Sequence, residues 1–164
     1  MEKVAWLVLG MIIVVAAARA GHSARARRVG RMAFAGLYIG AGALVNAYYL
    51  LSGSDFADFA DTAHFAFVHD TWRSLVVPHH TVFIGLLVAF ELTVGLLALS
   101  GRRGVRVALA AAMAMHVALP VFGWIFTVWS LVMLPAFALL LRAEHRAMER
   151  PQTAAKSSTP APVG

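Results

Sequence analysis

Apolar runs long enough to cross a bilayer recur along this chain, and arginine gathers in every second gap between them. A helix covers a hydrocarbon core with about 20 residues, each rising about 1.5 Å. Met32–Ser52 and Thr81–Ser100 meet that length, and Val4–Ala18 is a shorter candidate. Val105–Leu141 is too long for one crossing, and Pro120 and Gly123 interrupt it. Pro lacks a donor and Gly tolerates unusual dihedrals, so a turn there divides it into Val105–Leu119 and Trp124–Leu141. Closed barrels also span membranes, but they need alternation and polar lumen positions, which stretches such as VALAAAMAMHVAL do not show. The reading is an all-α membrane helix bundle with five crossings.

Composition agrees. Sixty per cent of the 164 residues are apolar, 13% are charged and the mean hydropathy is +0.75. Soluble domains carry roughly 45–50% apolar and about 25% charged residues. A disordered chain, a coiled coil and an ordinary water-soluble enzyme are excluded. No cysteine is present, which removes disulfides, thiolate metal sites and thiol redox chemistry. The net charge of +6 is explained by membrane topology and gives no reason to expect nucleic acid as a partner.

Arginine sets the orientation. Arg19, Arg25, Arg27, Arg28 and Arg31 lie between the first and second runs. Arg102, Arg103 and Arg106 lie between or at the start of the third and fourth, while Arg142, Arg146, Arg150 and Lys156 follow the fifth. Asp55, Asp58, Asp61 and Asp70 occupy the opposite side, with Arg73 as the one base of that connection. The positive-inside tendency makes the arginine side cytoplasmic. It predicts a multi-pass membrane protein, N-terminus out and C-terminus in. Ala18-Arg19-Ala20 also fits an A-x-A cleavage site, but cleavage would export the five arginines just downstream.

Three parts follow. Residues 1–31 form a first transmembrane helix and an Arg-rich cytoplasmic loop, and residues 32–142 form a four-helix membrane core. Within that core, 53–79 is an outer connection. Phe56, Phe59, Ala60, Ala63 and Phe67 recur there at helical spacing opposite the aspartates, which predicts an amphipathic interfacial helix ended by Pro78. Residues 143–164 read as a disordered cytoplasmic tail.

Glu91 stands in the middle of VFIGLLVAFELTVGLLAL. An ionised group at a helix centre costs at least about 2.5–3.5 kcal/mol, so Glu91 must face other helices and be protonated or paired. His116 is its expected partner. From the turn near Arg103, both lie about 18–20 Å along adjacent antiparallel helices. The competing role for His116 is a core histidine bonded to a backbone carbonyl. His80 precedes Glu91 by three turns, which sketches a polar stripe from the outer surface toward the midplane. Asn46 serves as a ligand contact or as an interhelical hydrogen bond. Glu91, His116, His80 and Asn46 are thus the candidates for ligand binding or proton handling. No catalytic constellation is evident. Asp61, His64 and their neighbours lack a tight metal-ligand spacing, so no metal site is expected.

Gly36 and Gly40 form a GxxxG motif, Gly85 and Ala89 repeat small-xxx-small spacing, and Gly95 lies one turn past Glu91. These allow close helix packing, within one chain or in a homo-oligomer. Trp6, Tyr48, Tyr49, Trp72 and Trp124 read as anchors of an outer aromatic belt.

RMAFAGLYIGAGALVNAYYL, then a connection of about 28 residues, then FELTVGLLALSGRRGVRVALAAAMAM, and the closing LPVFGWIFTVWSLVMLPAFALLL carry a resemblance. From Arg31 to Arg142 the chain resembles the DoxX-like family of small bacterial membrane proteins. Glu91 and Gly95 match that family's E-x-x-x-G-x-L helix. Many members carry a basic residue near Asn46, where this chain departs. The resemblance implies a four-helix bundle with the first run outside it. It also implies a place in quinone-linked sulfur oxidation or in redox complexes that handle thiols and oxidants. Lacking cysteine, this chain takes such a role only with a bound quinone or redox partner proteins. The expected function is a non-catalytic membrane subunit of such a complex in contact with membrane lipid. A small proton-coupled transporter or channel is one alternative. Another is a scaffold organising partner proteins, with the arginines of 19–31 against anionic lipid.

Overall fold

The computed structural model describes residues 2–157, with side chains described for 3–147. Hydrocarbon offers backbone groups no hydrogen bonds, so apolar runs satisfy them internally as helices. Five helices are long and apolar enough to cross a membrane, and no strand occurs among the described residues. The first crossing is α1 (Glu2–Ala20). The second runs unbroken over residues 24–51 as α2 (Ala24–Gly36), a π-wound segment (Leu37–Leu44) and α3 (Val45–Leu51). The outer connection contains α4 (Ala66–Thr71) and leads into α5 (His80–Leu99), the third crossing. The fourth is α6 (Arg102–Ala118) and the fifth α7 (Trp124–Ser157).

Two glycines make the tight reversals. Gly101 caps α6 at φ +119°, and Gly123 follows a 3-10 turn, Leu119–Phe122, at φ +131°. A side chain at Gly123 would also meet the Thr62 backbone oxygen at 2.6 Å. The division of the long run at Pro120–Gly123 therefore coincides with a real break.

The core lies where the crossings meet. Phe34, Phe137, Leu109, Met133 and Leu140 are buried, and alanines on every crossing let the backbones approach. The first helix belongs to this core. Ile13, Ala17 and Ala20 are buried in it, and the Trp6 ring packs against Trp129 with centroids 5.3 Å apart. Trp6 is accordingly not a boundary anchor, because its indole N–H donates to the Ala41 oxygen at 2.8 Å inside the bundle. Outward faces carry Leu7, Met11, Leu86, Ile125 and Leu131, all more than 60% exposed. Such faces suit lipid rather than water.

Three expectations are corrected. The 53–79 connection is no single amphipathic helix. Phe56 adopts the left-handed conformation (φ 57°), a 3-10 turn covers Ala57–Ala60, and α4 follows only after an irregular stretch. Its aromatic residues fold back over the α6–α7 turn instead. Phe59 stacks on Trp72 at 4.8 Å and meets Phe122 at 5.0 Å, and Trp72 donates to the Phe56 oxygen. Secondly, Pro78 does not end the segment. It sits at the start of a 3-10 turn (Val77–His79) that runs straight into α5, where a missing N–H is harmless. Thirdly, α7 continues past Arg142 to Ser157, and its Ala143 and Glu144 are buried against the bundle. Residues 158–164 of the expected tail lie outside the described residues.

The glycines divide into used and unused. A Cβ on Gly95 would collide with Ile39, whereas Gly40 and Gly85 have nothing within 4 Å and Gly36 meets only Leu9 at 3.6 Å. The GxxxG pair straddles the start of the π-wound segment, where i→i+5 bonding shifts the i, i+4 alignment that the motif assumes. Gly95→Leu is expected to destabilise the protein by about 1–3 kcal/mol through overpacking. Gly85→Leu should stay near wild type. Thermal unfolding of both variants in one detergent checks the difference.

Candidate intramembrane polar site

Glu91 lies on the inward face of α5, 3% exposed. Its partner is not His116. The Asn46 amide of α3 donates to Glu91 Oε2 at 2.8 Å, joining the second and third crossings. Sequence counting matched the depths of Glu91 and His116 correctly, but depth does not fix which faces meet. Gly42, one turn before Asn46, makes room for the carboxyl. A Cβ there would stand 2.7 Å from Oε1.

His116 is also 3% exposed, on α6. Its Nδ1 lies 2.9 Å from the Ala112 oxygen, one turn back. A carbonyl only accepts, so Nδ1 carries the hydrogen, and a neutral ring would present Nε2 as a lone pair. The backbone-bonded role weighed for this histidine is the one it has. The Tyr38 hydroxyl lies 3.4 Å from the same Nδ1, and Phe137 meets the imidazole edge to face at 5.1 Å. Nε2 is buried without a partner among the described residues.

Glu91 and His116 line one small cleft, with Trp6, Leu37, Tyr38, Met115 and Leu119 completing the wall. Its space suits about one water molecule. A quinone headgroup does not fit between these side chains as they are packed. The cleft can hold a proton or a single small polar molecule among one carboxyl, one phenol and one imidazole.

Tyr38 and Trp6 were missed by sequence reasoning. Tyr38 looked like any aromatic in an apolar run, and Trp6 like a belt residue. A short π-wound stretch that turns Tyr38 inward leaves no composition signal, although such segments recur at functional sites.

His80 does not join this cluster. Its Nδ1 lies 2.9 Å from the Val77 oxygen, within its own turn. Ile84 and Leu87 stand between it and Glu91 on the same helix face, and Ile84 is buried. The expected polar stripe is therefore interrupted by apolar side chains. On the outer connection, Asp61 pairs with Arg73 at 2.9 Å. His64 turns toward Thr127, 3.2 Å away, and Trp124. No three His, Asp or Glu side chains converge as metal ligands among the described residues.

Comparisons with protein-family models, with curated proteins and with solved structures gave no match for this chain.

Removing the amide leaves a buried carboxyl without its donor. Asn46→Leu is expected to destabilise the protein by about 1–3 kcal/mol. In an Asn46→Leu, Glu91→Leu double-mutant cycle, the loss from the first change should shrink once Glu91 is gone. Equilibrium unfolding in detergent measures the coupling.

Proposed function

We propose that this chain is a DoxX-like integral protein of a bacterial plasma membrane, acting as a non-catalytic membrane subunit beside an oxidant-handling or quinone-linked redox enzyme. Its Arg-rich end faces the cytoplasm, with the N-terminus outside. The observation that carries the reading is the closed polar cluster. Glu91 is tied to Asn46 between helices, and the one space beside it holds about a single water. An interior of that kind fixes helix positions, and it leaves substrate chemistry to a partner. The lack of cysteine, and of a nucleophile–base arrangement among the described residues, is in keeping with the same division of labour. Because no quinone ring fits the cleft, no step in this chain is assigned to one.

One observation favours a second reading, a proton-coupled path. His116 Nε2 is buried, unpartnered and on a residue lining the same cleft as Glu91. A single water there would link a carboxyl to an imidazole lone pair. Against it stand Ile84 and Leu87, which separate the cluster from His80 on the outer side.

Proton flux into liposomes separates the two. A subunit role predicts equal flux for wild type and Glu91→Gln, together with a redox enzyme cross-linked to the full chain in native membranes. Flux that falls several-fold in Glu91→Gln establishes the proton path instead. Equal flux with no redox enzyme captured rejects the proposal.

A further inference from the structure

The arginine-bearing ends converge on one cavity. Ala24, Arg27, Arg28 and Arg31 from α2, Arg102 from α6, and Glu144 and Ala147 from α7 enclose about 200 Å³ at one end of the bundle. Four guanidiniums and one carboxylate line it, so its walls carry a formal excess of three positive charges (four minus one). Glu144 is 4% exposed, and no ion pair within 4.0 Å joins it to these arginines among the described residues. Counted by its lining residues, the cavity keeps an excess of positive charge.

Two of the arginines are already held in position. Arg31 donates from Nε and Nη2 to the Ala98 oxygen, at 3.2 and 3.1 Å, in the last turn of α5. Arg27 donates from Nη1 to the Ala20 oxygen, the last residue of α1, at 3.0 Å. Helix C-termini carry free carbonyls and partial negative charge, which orient both guanidiniums. Each guanidinium has five N–H donors, so both keep donors free beyond these bonds. Arg28 and Arg102 are exposed, and neither makes a side-chain hydrogen bond or ion pair among the described residues. Arg102 also opens α6 after a glycine cap that offers no side-chain acceptor, at the positive end of that helix dipole.

We infer that this cavity is a binding site for a phosphate-bearing anion. Guanidinium groups match phosphate oxygens as paired donors, and several together at a membrane boundary, where phosphate headgroups are abundant, suit a phosphate better than chloride, which offers no paired acceptor oxygens. The phosphate arrives on a lipid headgroup or as a free ion. The site lies away from the Glu91 cluster and does not depend on the redox reading.

The test uses the full chain purified in neutral detergent, with native mass spectrometry to count retained phosphatidylglycerol against phosphatidylcholine. Arg28→Gln with Arg102→Gln should lower that preference at least five-fold. Arg103→Gln with Arg142→Gln removes the same charge at exposed positions outside the cavity and should leave the preference unchanged. Equal losses in the two double variants, or no loss in the first, overturn the proposal. Millimolar inorganic phosphate added to the wild type distinguishes the sources. Displacement of the lipid assigns the site to phosphate from either source, and retention assigns it to the headgroup. Thermal unfolding of each variant, unchanged from wild type, shows that a lost preference is not lost folding.

Discussion

A carboxyl placed between helices in hydrocarbon has to be given a donor, and much of this bundle is arranged around that need. Glu91 cannot turn to water, so α3 delivers the Asn46 amide and the Gly42 position is left without a side chain where the carboxyl lies. The second crossing reaches this geometry through the π-wound stretch Leu37–Leu44, which lies between the Arg-bearing α2 and the segment that holds Asn46. That stretch also turns Tyr38 inward beside His116. Trp6 ties α1 to it by bonding the Ala41 oxygen. In lipid the apolar side chains gain little from meeting one another, so such polar ties and close small-residue contacts carry a larger share of specificity than in a soluble core.

Charge does comparable work at the Arg-rich end. Arg31 bridges α2 to the last turn of α5, and Arg27 reaches back to the last turn of α1. Each bond satisfies a carbonyl that its helix cannot, and each places a cation at the negative end of a dipole. Residues that a topology rule treats only as a count thus also hold three helix ends together. The same two arginines add positive charge to the cavity wall, so assembly of this end and part of its charge have one origin.

How much of this was legible in the sequence follows from range. Apolar length and arginine alternation report on the medium, and they gave the five crossings and the break at Pro120–Gly123. Glu91, His116 and Asn46 stood out because polar groups are rare in such runs, and all three are at the polar site. Their pairing was not legible. Equal depth of Glu91 and His116 is a one-dimensional fact, whereas contact depends on helix rotation, which the π-wound segment changes without any signature in composition. The outer connection failed for a related reason. Its 3.6-residue spacing of phenylalanines looked helical, but packing of Phe59 on Trp72 and against Phe122 outweighs a lone amphipathic helix with nothing beneath it.

The closed interior and the open exterior belong together. Small residues drawn inward bring the backbones close, which narrows the space beside Glu91 to about one water and leaves the long side chains of Leu7, Met11, Leu86 and Leu131 pointing out. A chain packed in this way leaves little room beside Glu91, yet it presents wide apolar faces and a charged end with a larger cavity. Gly40 and Gly85, with open space where a side chain would be, keep parts of those faces shallow. The cleft beside Glu91 has room for about one water, so as packed the larger surfaces this protein offers to other molecules are its apolar faces and its charged end.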